Sequence, residues 1–144
     1  MSNSTDRLAA LGLLRGTARV IAAAGLAVDA YVHAKLAGQY DAVSASVSQG
    51  NLFRLEAGLA ALAALLVLIW RHLIVDAFAW LVAAGGLAAL MVYRYIDVGA
   101  FGPFPDMYEP IWSYDKKLAA IVQAVTIVAV TFLLVTRRRR LGMR

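Results

Sequence analysis

A four-helix membrane bundle is the fold class this sequence predicts, and three observations predict it. Hydrophobic residues make up 62% of the 144-residue chain and charged residues 16%, against about 45 to 50% and about 25% in ordinary soluble domains. The apolar residues gather into four stretches of about 20 residues, each enough to cross a ~30 Å hydrocarbon layer as one helix. What remains is too short for a separate soluble domain, so residues 1–144 read as a single integral-membrane unit. The absence of cysteine excludes disulfides, thiolate metal sites and thiol relays.

The first span is expected over residues 20–39. A polar or mixed flank with Arg7, Arg15 and Arg19 precedes it, and the apolar run begins at Val20. Asp29 interrupts that run after nine uncharged residues, too early for the apolar core of a cleaved signal peptide. The other spans are expected over residues 52–70, 73–93 and 118–136. Only Arg71 and His72 separate the second from the third, which makes a tight turn with His72 as a turn residue. The connection from Tyr40 to Asn51 is polar, and the one from Arg94 to Lys117 is long and aromatic.

Arginine placement orients these spans. With both termini cytoplasmic, the inner face collects nine cations, namely Arg7, Arg15, Arg19, Arg71, Arg137, Arg138, Arg139, Arg140 and Arg144. The outer face keeps five, Lys35, Arg54, Arg94, Lys116 and Lys117. That imbalance predicts an N-in, C-in multi-pass protein of a bacterial plasma membrane. The net charge of +5 is then a topology signal rather than a nucleic-acid footprint. The run Arg137 to Arg140 marks the last helix end and would attract anionic membrane lipids.

Small residues recur in the first three spans, and pairs such as Ala57/Ala61, Ala60/Ala64 and Gly85/Ala89 would let helices approach closely. No internal repeat relates the two helix pairs, which speaks against an inverted-repeat transporter.

Ionisable residues inside a span are costly and mark candidate sites. Asp29 lies ten residues past Arg19, about 15 Å into the span at 1.5 Å per residue. His33 follows at i+4 on the same face and can pair with it. In the second span Glu56 shares a face with Leu52, Ala60, Ala63, Val67 and Trp70, whereas Arg54 is directed away and is expected to reach headgroups. Tyr93, Arg94 and Asp97 stand at the outer end of the third span, and Gln123 about two turns into the fourth. These positions predict an outward-facing polar pocket of Asp29, His33, Glu56 and Gln123, with Arg94 as counter-ion. The inner halves are expected to be almost purely apolar, apart from Asp76 and Thr136 at the rim and Thr126 and Thr131. The same polar residues would equally serve as a hydrogen-bond network holding the helices in register. Two carboxylates and one imidazole fall short of a metal site, since no HExxH or His-rich spacing accompanies them.

Between Gly99 and Lys117, Pro103, Pro105 and Pro110 preclude a long helix, and five aromatic residues make the segment too apolar for a solvated loop. It is expected to lie against the outer interface above the pocket, either as a lid carrying Tyr108, Glu109 and Trp112 or as an aromatic belt.

The stretches DAYVHAKLAGQYD (Asp29 to Asp41), SQGNLFRLEAGLAALAAL (Ser48 to Leu65) and FGPFPDMYEPIWSYDKKLAAI (Phe101 to Ile121) resemble small four-helix membrane proteins of actinobacteria. The resemblance places the distinctive residues where the polar groups are and brings no assigned chemistry. In size and helix count the chain also resembles the DoxX-like group, which implies a link to membrane redox reactions with quinones. The expected function is non-enzymatic: binding of a small-molecule ligand or a membrane-protein partner, with no catalytic residue and no identified cofactor. The rivals are a DoxX-like quinone-linked redox accessory, with Asp29 and His33 managing protons, and a small proton-coupled exporter.

Overall fold

The computed structural model describes residues 3–142, with side chains as far as Arg137. Four helices follow one another in alternating direction: α1 (Ser4–Ala37), α2 (Gln49–Ile69), α3 (Leu73–Tyr95) and α4 (Tyr114–Gly142). Each contains a stretch long and apolar enough to cross a membrane, Ser4–Tyr40, Gln49–Ile69, Leu73–Tyr95 and Tyr114–Arg137. This is the architecture of a multi-pass membrane protein. The side chains of Arg138, Arg139 and Arg140, and the whole of Arg144, lie outside the described residues.

Local chemistry explains the boundaries. Ser48 caps α2 by accepting from the Asn51 N–H (3.0 Å), and His72 Nδ1 caps α3 by accepting from Ile74 (3.2 Å). Ser113 Oγ accepts from the Lys116 N–H at the start of α4 (3.2 Å). These side chains satisfy amide groups that have no partner inside the helix. The main departure from expectation is α1, which begins at Ser4 rather than near residue 20 and runs for 34 residues. The segment before Val20 is rich in Leu, Ala and Arg, all good helix formers, so the first helix nucleates well before the apolar run.

Around the bundle, α1 packs most extensively on α2 and α4, α3 packs on α4, and a thinner α2–α3 contact closes the ring. The core is made chiefly of small and branched residues, among them Ala22, Leu26, Ala60, Ala63, Val67, Ala79, Val130 and Leu133. Of the face predicted on α2, Leu52, Glu56, Ala60, Ala63 and Val67 are turned inward, whereas Trp70 at its end is 55% exposed. A Cβ on Gly25 would collide with Thr126 Oγ1 and stand 3.1 Å from the Val122 carbonyl, so α1 and α4 meet there almost backbone to backbone. By contrast Ala61 and Gly85 face outward, and a Cβ on Gly85 would meet nothing within 4 Å. The pairs Ala57/Ala61 and Gly85/Ala89 are therefore not the close-approach points.

The half of the bundle that holds the termini is less apolar than expected. Arg19, read from sequence as part of a cytoplasmic flank, is 5% exposed. It donates to both carboxylate oxygens of the fully buried Asp76, at 2.8 and 3.1 Å, and to the Val67 carbonyl at 3.2 Å. One guanidinium thus ties α1 to α2 and α3. Arg15 reaches α4 nearby, donating to the Leu133 carbonyl (2.7 Å) and to the Thr136 hydroxyl. The charge at position 19 is turned inward because a matched carboxylate stands opposite it at the start of α3.

At the other end the connections bind one another. The Val47 N–H donates to the Pro103 carbonyl (3.0 Å), and the Glu109 N–H to the Tyr93 carbonyl (3.0 Å). Gly99 and Gly102 take positive φ values of 64° and 56°, which favour glycine in these turns. Arg54 is directed away from Glu56 as expected, but it meets Asp41 at 2.7 and 2.8 Å rather than headgroups. The Arg54 guanidinium beside Asp41 holds that carboxyl below the usual aspartate range.

Leaving Arg19 buried without its carboxylate is the costly change at the termini end. Asp76→Ala is expected to lower unfolding free energy in detergent by about 3 kcal/mol, with Arg19→Met/Asp76→Leu recovering most of the loss. Chemical denaturation followed by circular dichroism checks this; equal losses in both variants would contradict it.

Candidate functional site

The polar residues of the other half converge from all four helices. Asp29, on α1, is 1% exposed. Its Oδ1 accepts from Gln123 Nε2 of α4 at 2.9 Å and lies 3.1 Å from His33 Nδ1, one turn along α1. His33 Nδ1 also lies 3.0 Å from the Asp29 carbonyl, and the ring packs edge-on against Phe53 of α2 at 5.2 Å. Glu56 comes to the same place from α2. A Cβ added to Gly86 of α3 would stand 2.5 Å from Gln123 Nε2 and 2.7 Å from Glu56 Oε1. Gly86 is thus the open spot through which the amide and the carboxylate approach each other.

Above this cluster lies a cavity of about 270 Å³, bounded by the loop ends of all four helices and by the α3–α4 connection. His33 and Glu56 form its polar floor, and Leu36, Leu52, Phe53, Leu90 and Met107 supply apolar walls. Arg94 stands near the mouth. Asp29 and Gln123 do not line the cavity; they lie behind His33 and Glu56 and hold them in position. The sequence-predicted set is therefore assembled in two tiers: His33, Glu56 and Arg94 touch the cavity, and Asp29 and Gln123 support it.

Arg94 differs from the counter-ion expected of it. Its guanidinium carbon lies 4.8 Å from the Tyr95 ring and 5.3 Å from the Trp112 ring, with no carboxylate of the described residues in an ion pair with it. Cation–π contact with two rings holds the group in place without neutralising it. The expected lid residues also divide. Glu109 lines the cavity, accepts from the Tyr40 hydroxyl at 3.1 and 3.2 Å and pairs with Lys116 at 3.2 Å. Trp112 acts indirectly by packing on Arg94. Tyr108 is turned outward, its N–H donating to the Asp106 carboxylate at 3.0 Å, so Met107 and Ser113 line the cavity in its place.

Lys116 also donates to the carbonyls of Glu109 and Ile111, both at 2.8 Å, which fastens the connection to α4. Lys35 and Asp115 fasten α1 to α4 on the outside at 3.1 Å. Sequence reasoning missed Gly86 and the Tyr40–Glu109–Lys116 chain. Gly86 lies beside Gly85, which fitted an i, i+4 pair, and only the rotation of α3 tells them apart.

Four buried side-chain atoms in this half find no hydrogen-bond partner among the described residues: Asp29 Oδ2, Glu56 Oε1, Gln123 Oε1 and Arg94 Nε. Buried polar atoms are nearly always paired, so their concentration in and under one cavity singles this region out. Comparison with protein-family models, curated proteins and solved structures finds no match. The site is therefore read from its own chemistry.

A side chain at position 86 is expected to push the Gln123 amide and the Glu56 carboxylate apart. Gly86→Val should lower stability by about 1 to 3 kcal/mol through overpacking, whereas Gly85→Val, facing open space, should change it little. Thermal unfolding of both variants in detergent is the check, and equal midpoints would contradict the assignment of Gly86 to the interface.

Proposed function

We propose that this protein is a small-ligand-binding subunit of a bacterial plasma membrane, with both termini cytoplasmic and its cavity opening outward. The observation that carries this reading is Glu56: it lines a cavity whose walls are otherwise largely apolar, and its buried Oε1 has no hydrogen-bond partner among the described residues. A few fixed polar groups within an apolar lining are the composition of ligand sites in general. The apolar core next to the site, with Leu26, Ala60, Ala63 and Val67, favours binding over export, because alternating access needs polar surface leading from the site to both sides. The α3–α4 connection, tied to Tyr93, Tyr40 and Lys116, serves as a fixed roof rather than a free loop. Asp29, His33 and Gln123 set the position of the floor, and Arg94 guards the mouth.

Native mass spectrometry of the detergent-purified protein tests the reading. A co-purifying small molecule is expected on the wild type, with occupancy falling about tenfold or more in Glu56→Gln, the loss expected for one charge-assisted hydrogen bond. Identical spectra for wild type, Glu56→Gln and Asp29→Asn would overturn the binding function. A quinone among the retained masses would move the reading to a redox accessory built on His33 and Asp29.

Orientation has its own test. A fluorescent reporter fused after Arg144 is expected to be active in its cytoplasmic form, and an export-dependent phosphatase at the same point inactive. Phosphatase activity there would turn the cavity to the cytoplasmic side.

A further inference from the structure

Resting on that binding function, we infer that the cavity takes an elongated zwitterion, with an ammonium at the Glu56 floor and a carboxylate or phosphate at Arg94. The two ends of the cavity call for opposite partners. Glu56 Oε1 at the floor, and Asp29 Oδ2 and Gln123 Oε1 behind it, are oxygens without a hydrogen-bond partner among the described residues. The nearest donors, His33 Nδ1 and Gln123 Nε2, are both directed at Asp29. Acceptors therefore exceed donors, and an ammonium brings three donors and no acceptor. A hydroxyl would bring a further acceptor to a place that has too many.

Toward Arg94 the lining carboxylates are already matched, Glu109 by Tyr40 and Lys116, and Asp115 by Lys35. Lys116 is occupied by one carboxylate and two carbonyls. Arg94 lines the cavity, its buried Nε finds no acceptor among the described residues, and its guanidinium carbon lies 4.8 and 5.3 Å from the Tyr95 and Trp112 rings. An anion fits that group, and a planar carboxylate or a phosphate fits it best. Arg94 lies eight residues beyond Gly86 on α3, about 12 Å along the helix axis. The poles of the ligand are thus well separated, with an apolar or small body between them against Leu52, Phe53 and Leu90. An extended tripeptide of small residues, which reaches at most about 10 to 11 Å, has this form. An aminoethyl-phosphate lipid headgroup carries the same two charges over a much shorter span, and would meet both poles only with the long Arg94 side chain turned toward the floor.

Trialanine is the probe for the free zwitterion, titrated calorimetrically into the full-length protein in phosphatidylglycerol nanodiscs. Wild type is expected to bind it, and N-acetyl-trialanine and trialanine amide each to bind about tenfold or more weakly. Glu56→Gln should abolish the penalty of acetylation, and Arg94→Gln the penalty of amidation, a crossed pattern that general misfolding cannot produce. Phosphatidylethanolamine nanodiscs test the lipid source. Retention of that lipid by wild type but not by Glu56→Gln in native mass spectra, with no peptide binding, would assign the zwitterion to a headgroup. Blocked and free peptides binding equally, or binding of neither peptide nor phosphatidylethanolamine, would overturn the inference. If a neutral molecule is meanwhile retained by wild type and lost from Glu56→Gln, the binding function stands and the zwitterion alone falls.

Discussion

A guanidinium or carboxylate withdrawn from water into a low-dielectric interior loses several kcal/mol of solvation unless a partner of opposite charge and further hydrogen bonds restore it. The first helix carries such groups at two depths, Arg19 and Asp29, with exposures of 5% and 1%. The arrangement of the other three helices follows from where their partners stand. Arg19 takes Asp76 from α3 and the Val67 carbonyl from α2, while Asp29 takes Gln123 from α4. No sliding or rotation of α1 by one turn keeps both sets. Apolar packing among alanines and valines is tolerant of such shifts in a membrane, where lipid tails compete with side chains on equal terms, so register is held by the polar contacts.

The two ends differ in how completely this is done. Near the termini both Arg19 and Asp76 are used on the two sides of a bidentate pair, and Thr136 donates back to the Phe132 carbonyl at 2.7 Å. Near the loops Gln123 makes one hydrogen bond, to Asp29, in a site with two carboxylates, and His33 brings one ring nitrogen to the same oxygen. Close contact at Gly25 and Gly86 brings α4 against both α1 and α3, so the deficit is not relieved by the helices simply standing apart. The unbalanced site is built into the same close packing that makes the bundle.

Much of this was legible in the sequence, where the signal was local. Hydropathy alone marks the four spans, and the 3.6-residue period puts Glu56 above Ala60, Ala63 and Val67 and Asp29 beside His33. Arg19 was misread because an arginine before an apolar run has the pattern of a cytoplasmic flank, and its partner lies 57 positions away. Nothing in the local sequence links the two. The same holds for Tyr40 and Glu109, 69 positions apart. Arg94 lines the cavity but not as a counter-ion: acids and arginines grouped by depth invite an ion pair, whereas here the guanidinium lies against the aromatic rings of Tyr95 and Trp112.

An unpaired buried acceptor would normally be removed at little structural cost, since an apolar residue of similar shape at position 56 would extend the face already made by Ala60, Ala63 and Val67. Retaining a glutamate there forgoes stability. A purely structural network would be expected to close on itself, as the Arg19–Asp76 pair does with the Val67 carbonyl, because a half-satisfied polar cluster is worse for folding than an apolar one. The loop-end cluster is not closed in this way: Glu56 lines the cavity with the unpaired oxygens of Asp29 and Gln123 behind it, and Arg94 lines the cavity farther along α3. The unsatisfied groups are thus separated by sign as well as position, which a register-holding role does not require and a bound ligand with two different ends does.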